Sequence, residues 1–209
     1  MAEIARRLRE HFGPLRPRTR GDLLDLLVGT ILSQNTSDIN RDRAFSELKK
    51  RFPRWEDLCR AREEEIAAAI RNAGLQHQRA RRIKEILCRI QGERGRISLD
   101  FLRKLSPEEA HRWLLSLPGV GRKTAAIVML FGLGAPYFPV DTHIKRVTKR
   151  LGLWDGRGDP HDALAPLIPR GRESELHLHL IRLGREVCRP RSPRCGKCPL
   201  ADLCPSRGD

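Results

Sequence analysis

Apolar residues recur along this chain at the spacing of one helix face after another. Leu23, Leu24, Leu26, Leu27 and Ile31 fall on one broad face, and Ile66, Ala69 and Ile70 on a second. Ile83, Ile86, Leu87 and Ile90 form a third face, and Trp113, Leu114 and Leu117 a fourth. Alternation with a period of two is nearly absent. The pattern predicts an all-α chain of about ten or more short helices joined by tight turns. End signals agree. Ser106-Pro107-Glu108-Glu109 offers an N-cap serine, a first-turn proline and a capping-box glutamate. Gly74 stands where a helix ending near Asn72 needs its C′ residue.

Two stretches interrupt the pattern. Phe131 to Pro139 is rich in Gly and Pro and predicts a break between two packed units. From Cys188 onward the tail has little apolar content and cannot hold its shape by burial, so it needs a staple.

Charge changes the picture next. Lys and Arg number 41 against 26 acidic residues, a formal net charge of +15. An ordered protein this basic usually meets a polyanion, most often nucleic acid; a genome rich in Arg codons is the plainer source of the same excess. No apolar run reaches bilayer length, and no apolar signal core follows the N-terminal arginines. The expectation is a cytoplasmic, nucleoid-associated protein with no membrane partner. Thiols stay reduced in such a compartment, so the six cysteines need another account than disulfides.

Four of them crowd the tail as C-x6-C-x2-C-x5-C: Cys188, Cys195, Cys198 and Cys204. Thiolates this close in sequence can surround one metal centre, either a tetrahedral zinc or a four-iron cluster. Arg189, Arg191, Arg194 and Lys197 lie between them and would offset an anionic cluster or face phosphates. Cys59 and Cys88 lie in apolar helical contexts and read as core residues.

A second motif, Leu117-Pro118-Gly119-Val120-Gly121-Arg122-Lys123-Thr124-Ala125, joins two helical patterns through a glycine turn. The backbone N–H groups of Gly119, Val120 and Gly121, at the start of the next helix, suit a DNA phosphate. This is the helix-hairpin-helix pattern. Lys123 then falls in the first helical turn, where the helix field favours a neutral amine. Two roles fit it: a phosphate contact beside Arg122, or a nucleophile. In the segment Phe138 to Val147, Asp141 reads as the N-cap of a helix carrying Ile144 and Val147, and equally as a carboxylate aimed at the lysine's chemistry. His143 reads first as a structural neighbour.

Taken together, Leu117 to Ala125, Val140 to Val147 and the cysteine tail resemble endonuclease III, of the helix-hairpin-helix DNA glycosylase superfamily; the likeness runs from about Asp22 to Cys204. The resemblance implies a two-lobed all-α fold with a DNA cleft between the lobes. One lobe, 22–135, would be a helical barrel holding the hairpin. The other, 1–21 plus 136–209, would hold a [4Fe-4S] cluster on Cys188, Cys195, Cys198 and Cys204. Lys123 falls on the family's nucleophile and Asp141 on its catalytic aspartate, with DNA contacts implied for Gly119, Val120, Gly121, Arg122 and His143. The loops Ser33 to Asp38 and Gly74 to His77 match those that fill the gap left by an extruded base, which brings in Gln34, Asn35 and the apolar wedge Leu75. Asn35 stands where the family often has glutamine.

Related branches fit less well. The adenine-removing branch lacks the lysine and carries a further domain after its cysteines. Mismatch thymine or uracil glycosylases typically lack the lysine, and the oxidised-guanine branch usually lacks the cluster. The implied function is a monomeric DNA glycosylase and AP lyase of base excision repair. It would act on oxidised pyrimidines and abasic sites in duplex DNA. The alternatives are a mismatch-directed glycosylase, one that nicks poorly, or a non-catalytic DNA-binding module.

Overall fold

The computed structural model describes residues 1–15 and 21–208; the end of the N-terminal segment, residues 16–20, lies outside the described residues. The helices are α1 (Ala2–Phe12), α2 (Leu23–Ser33), α3 (Asp38–Arg51), α4 (Trp55–Arg60), α5 (Glu63–Ala69), α6 (Gln76–Arg94), α7 (Pro107–Leu115), α8 (Arg122–Ile127), α9 (Thr142–Arg150), α10 (Pro160–Leu164) and α11 (Glu173–Glu186). Short 3-10 turns occupy Arg71–Ala73, Asp100–Lys104, Ala165–Leu167, Cys195–Lys197 and Ala201–Leu203, and a π turn spans Val128–Gly132. Among the described residues there is no strand, and no helix is long and apolar enough to cross a membrane.

The chain divides into two compact units, Arg20–Val128 and the pair Met1–Thr19 with Met129–Asp209. The first is built around α6. Its inward face, Ile83, Ile86, Leu87 and Ile90, is fully buried, as are Leu24, Leu27, Val28 and Ile31 of α2, Leu48 of α3, Leu58 of α4 and Ile66 of α5. Truncating any of these leucines or isoleucines to alanine costs ~2–5 kcal/mol, because the cavity collapses only in part. The predicted faces recur here with two changes: Trp113 is half-buried, and so is Leu26, which lines a groove with Gly29, Phe45 and Ile127.

Side chains fix the helix starts. Asp22 accepts from Leu24 N at 2.7 Å and so caps α2, and Ser37 caps α3 by accepting from Asn40 N. The Ser106 box forms in both directions, since Ser106 Oγ accepts from Glu109 N and Glu109 Oε2 accepts from Ser106 N. Each cap is worth ~1 kcal/mol. The predicted helix end near Asn72 comes out differently. α5 stops at Ala69, a 3-10 turn continues to Ala73, and Gly74 at φ 73° ends that turn instead. The two cysteines read as core are half-buried rather than enclosed. Burial pushes the Cys59 thiol up to about 12, and a hydrogen bond with Cys88 adds to the rise.

The second unit packs α1 and α9 on α11. Ile4 and Leu8 meet Ile144, Val147, Leu176, Leu180, Leu183 and Trp154 in one core. Carbonyls at the end of α1 are held from α11. His179 Nε2 bonds Gly13 O at 2.9 Å, and Arg182 Nη1 donates to Phe12 O at 3.3 Å. Arg7 pairs with Asp202 at 2.6 Å and ties α1 to the cysteine tail.

Candidate functional site

The hairpin forms where the sequence places it. Val120 N donates to Leu117 O at 3.2 Å and closes the turn, so this amide is already engaged within the hairpin. Gly119 takes φ +68°, which favours glycine, and a Cβ there would displace the Arg82 side chain. Gly121 is extended and precedes α8, whose first residues are Arg122 and Lys123. Both side chains are half-buried. Among the described residues of its own unit, nothing hydrogen-bonds or pairs with the Lys123 amine.

The two loops singled out in the sequence share an unusual backbone. Asn35 has φ 53° and Leu75 φ 49°; with Ser192 they are the described non-glycine residues at positive φ. Asparagine tolerates this region, but a branched apolar residue such as leucine does not, and each such residue stores ~1–3 kcal/mol of strain. Both side chains are exposed, Leu75 by 59%. Gln34 differs from its neighbour. Its Oε1 accepts from Arg82 Nη1 at 3.2 Å, and its Nε2 donates to Thr124 Oγ1 at 3.4 Å. That amide braces the loop against α6 and α8.

Arg79 and Arg82 of α6 carry functions the sequence did not disclose. Arg79 is 2% exposed. Its Nη1 donates to Leu32 O at 2.8 Å and Ala73 O at 2.7 Å, and its Nη2 donates to Gln34 O. Burial holds this guanidinium below the ordinary arginine range, and nearby Arg82 adds to the effect. Further along α6, Arg89 donates to Ser116 O at 2.5 Å and Ser116 Oγ at 3.0 Å, at the base of the hairpin. The one available signal was register: Arg79 stands four, seven and eleven residues before Ile83, Ile86 and Ile90, on the apolar face of α6.

In the other unit Asp141 caps α9, with Oδ1 accepting from Ile144 N at 2.8 Å. Oδ2 takes no part in this cap. His143 lies against α11, where Gly184 leaves room for it, and its Nδ1 is 3.2 Å from Arg146 Nη2. Burial pushes the His143 pKa down, Asp141 opposes the shift, and the cations Arg146 and Arg185 reinforce it.

The four tail cysteines line one small pocket together with Arg150, Val187 and Arg207. None is in a disulfide. Burial pushes the Cys198 thiol up, against a Leu200 backbone bond, and the other three tail cysteines add to the shift, so its thiolate becomes favourable only beside a cationic centre. Four thiols brought to one pocket suit an iron–sulfur centre. Arg150 Nη1 donates to Cys188 Sγ, and Arg146 Nε donates to Cys188 O at 3.0 Å, so cations from α9 support the first of the four. The donor set fits an iron–sulfur cluster.

The profile of the HhH-GPD superfamily of base excision DNA repair proteins matches residues 28–167, and that of the iron-sulfur binding domain of endonuclease III matches residues 188–204. Endonuclease III of Thermotoga maritima is 35% identical over 204 residues, covering 97% of this chain and 91% of its own. An Arabidopsis thaliana protein named as a DNA glycosylase is 48% identical over 169 residues, 79% of this chain; the matched region spans 57% of that longer protein. Among solved structures, a trapped covalent intermediate of endonuclease III with DNA, an estranged-adenine complex, superposes with a TM-score of 0.84 at 29% identity, covering 98% of this chain and 94% of that one. The chain therefore belongs to the endonuclease III group of the HhH-GPD base excision repair superfamily, and its cofactor is a [4Fe-4S] cluster.

Proposed function

We propose that this protein is a bifunctional DNA glycosylase and AP lyase that removes oxidised pyrimidines from duplex DNA and nicks the abasic strand, with Lys123 as nucleophile. The observation that carries the reading is the lysine's placement. It is the second residue of α8, directly behind the Gly119 turn, half-buried, with its amine engaged by nothing in its own unit. A nucleophilic amine needs that freedom, and a hairpin that grips a neighbouring phosphate holds the sugar in register.

The amine lone pair bonds to C1′ of the extruded nucleotide, and the bond from C1′ to the base breaks, the base leaving with its electron pair and taking a proton. The sugar ring opens as the bond from C1′ to O4′ breaks, which leaves an imine on Lys123. Loss of a proton from C2′ then expels the 3′ phosphate oxygen and cleaves the strand, and water releases the enzyme. Asp141 supports positive charge on the sugar through the oxygen that the α9 cap leaves available. Cys188, Cys195, Cys198 and Cys204 hold the cluster, which orders a loop carrying Arg189, Arg191, Arg194 and Lys197. Gly119, Gly121 and Arg122 contact phosphate, and Asn35 and Leu75 fill the gap left by the base. A formal charge of +15 supports action on DNA, here read as that of a nucleoid-associated, cytoplasmic monomer.

Borohydride trapping on abasic and lesion-bearing duplexes is the test. Wild type should trap a covalent adduct and Lys123→Ala none; equal trapping by the two overturns the assignment. A panel of duplexes with oxidised pyrimidine, uracil and mismatched thymine reads specificity. Preferential release of thymine overturns the pyrimidine-damage reading and leaves the lyase reading standing.

A further inference from the structure

We propose that Arg79 is a positioning residue for lesion engagement: its buried guanidinium sets the two loops that carry Asn35 and Leu75. The inference rests on the glycosylase and lyase reading above. Each clamped carbonyl belongs to the end of a short helical segment, Leu32 and Gln34 at the end of α2 and Ala73 at the end of the 3-10 turn, where carbonyls lack helical partners. One planar fork serves both ends, which an ammonium cannot do with the same geometry.

Stability alone does not account for this residue. A guanidinium that is 2% exposed, with no carboxylate paired to it among the described residues, loses hydration that neutral carbonyls replace only in part. A position asking only for cohesion is filled at less cost by an apolar side chain of similar volume. What an apolar side chain cannot supply is directional donors to two segments far apart in sequence. Those donors act beside the strained residues: Gln34 O belongs to the peptide that enters Asn35, and Ala73 O lies two residues before Leu75. Both residues then meet DNA already in their final backbone conformation, so ordering is not deducted from binding. The tie extends to the nucleophile's helix. Gln34, whose carbonyl Arg79 holds, is braced by Arg82 and by Thr124, the residue after Lys123.

Single-turnover strand cleavage on two abasic substrates tests the proposal. In duplex DNA the abasic site needs its gap filled; in single-stranded DNA it does not. Arg79→Met should slow duplex cleavage by ~100-fold, as misplacement by about an ångström does, and change single-strand cleavage by less than about threefold, with Arg79→Lys recovering part of the loss because it keeps charge without the fork. Equal slowing on both substrates, or unchanged duplex cleavage in a folded variant, overturns it. If Arg79→Met does not fold, Arg79→Lys must itself lose duplex cleavage selectively, and a wild-type ratio overturns the proposal. Should wild type nick neither substrate, the lyase reading fails. Arg79 is then judged by binding to a reduced-abasic duplex against single strand, where the variant must lose the wild-type preference for the duplex.

Discussion

Arg150 Nη1 donates a hydrogen bond to Cys188 Sγ at 3.4 Å. The same guanidinium donates to Arg189 O at 2.6 Å and Pro190 O at 3.0 Å, so one cation from α9 fixes both the first cysteine and the chain leaving it. Removing such an outer partner typically costs 10–100-fold in metal affinity. Arg150→Ala should therefore lose iron to a chelator faster than wild type. The measurement is iron per protein with the visible absorbance over time, and equal retention would assign Arg150 to the fold alone.

Asp141 caps a helix and is proposed to act in the chemistry, and two substitutions separate these roles. Asparagine caps as well as aspartate, whereas alanine costs ~1 kcal/mol. Asp141→Asn should melt like wild type yet lose activity as severely as Asp141→Ala, which should also lose about that much stability. Urea melts beside excision rates decide it; an active Asp141→Asn would reduce the residue to a cap.

Gly119→Ala should weaken both fold and DNA binding. Its φ of +68° costs an L-residue ~1–2 kcal/mol, and the new Cβ displaces Arg82. Displaced Arg82 gives up Gln34, so the effect should reach the Asn35 loop. Hydrogen exchange of amides 34–36 reads that spread, and unchanged exchange there would confine the damage to the hairpin.

His143 gives the stability a pH dependence. Its folded pKa is depressed below the ordinary 6.5, by burial first and by Arg146 and Arg185 after it, against Asp141. In that window the unfolded chain binds more protons, so stability rises with pH. The contribution is complete above 6.5 and is lost as pH falls from there through the depressed folded value. Melting temperatures of wild type and His143→Gln between pH 5 and 8 should converge at low pH relative to neutral, and parallel curves would refute it.

The helical class and the capping box were legible because they are local: apolar spacing and a Ser-x-x-Glu pattern act within one turn or a few. The hairpin was legible for the same reason. Long-range partners were not. Arg79 falls in register with Ile83, Ile86 and Ile90, but only the fold shows its guanidinium on the α2 carbonyls. Gln34 and Asn35 read as one polar pair, yet the structure gives the first to bracing and exposes the second. The fall of the Gly/Pro stretch was read as a break beginning at Phe131; the helix instead runs on through a π turn to Gly132.

The pairing of Arg7 with Asp202, and of α1 with α11, has a consequence for how the chain is made. The unit Arg20–Val128 is continuous and has all its residues once the ribosome has released it. The other unit waits, its first helix emerging first and its partners last. An apolar α1 face bearing Ile4 and Leu8 therefore stays uncovered through most of synthesis, and a chain stalled before Leu176 lacks the α11 residues that pack on it.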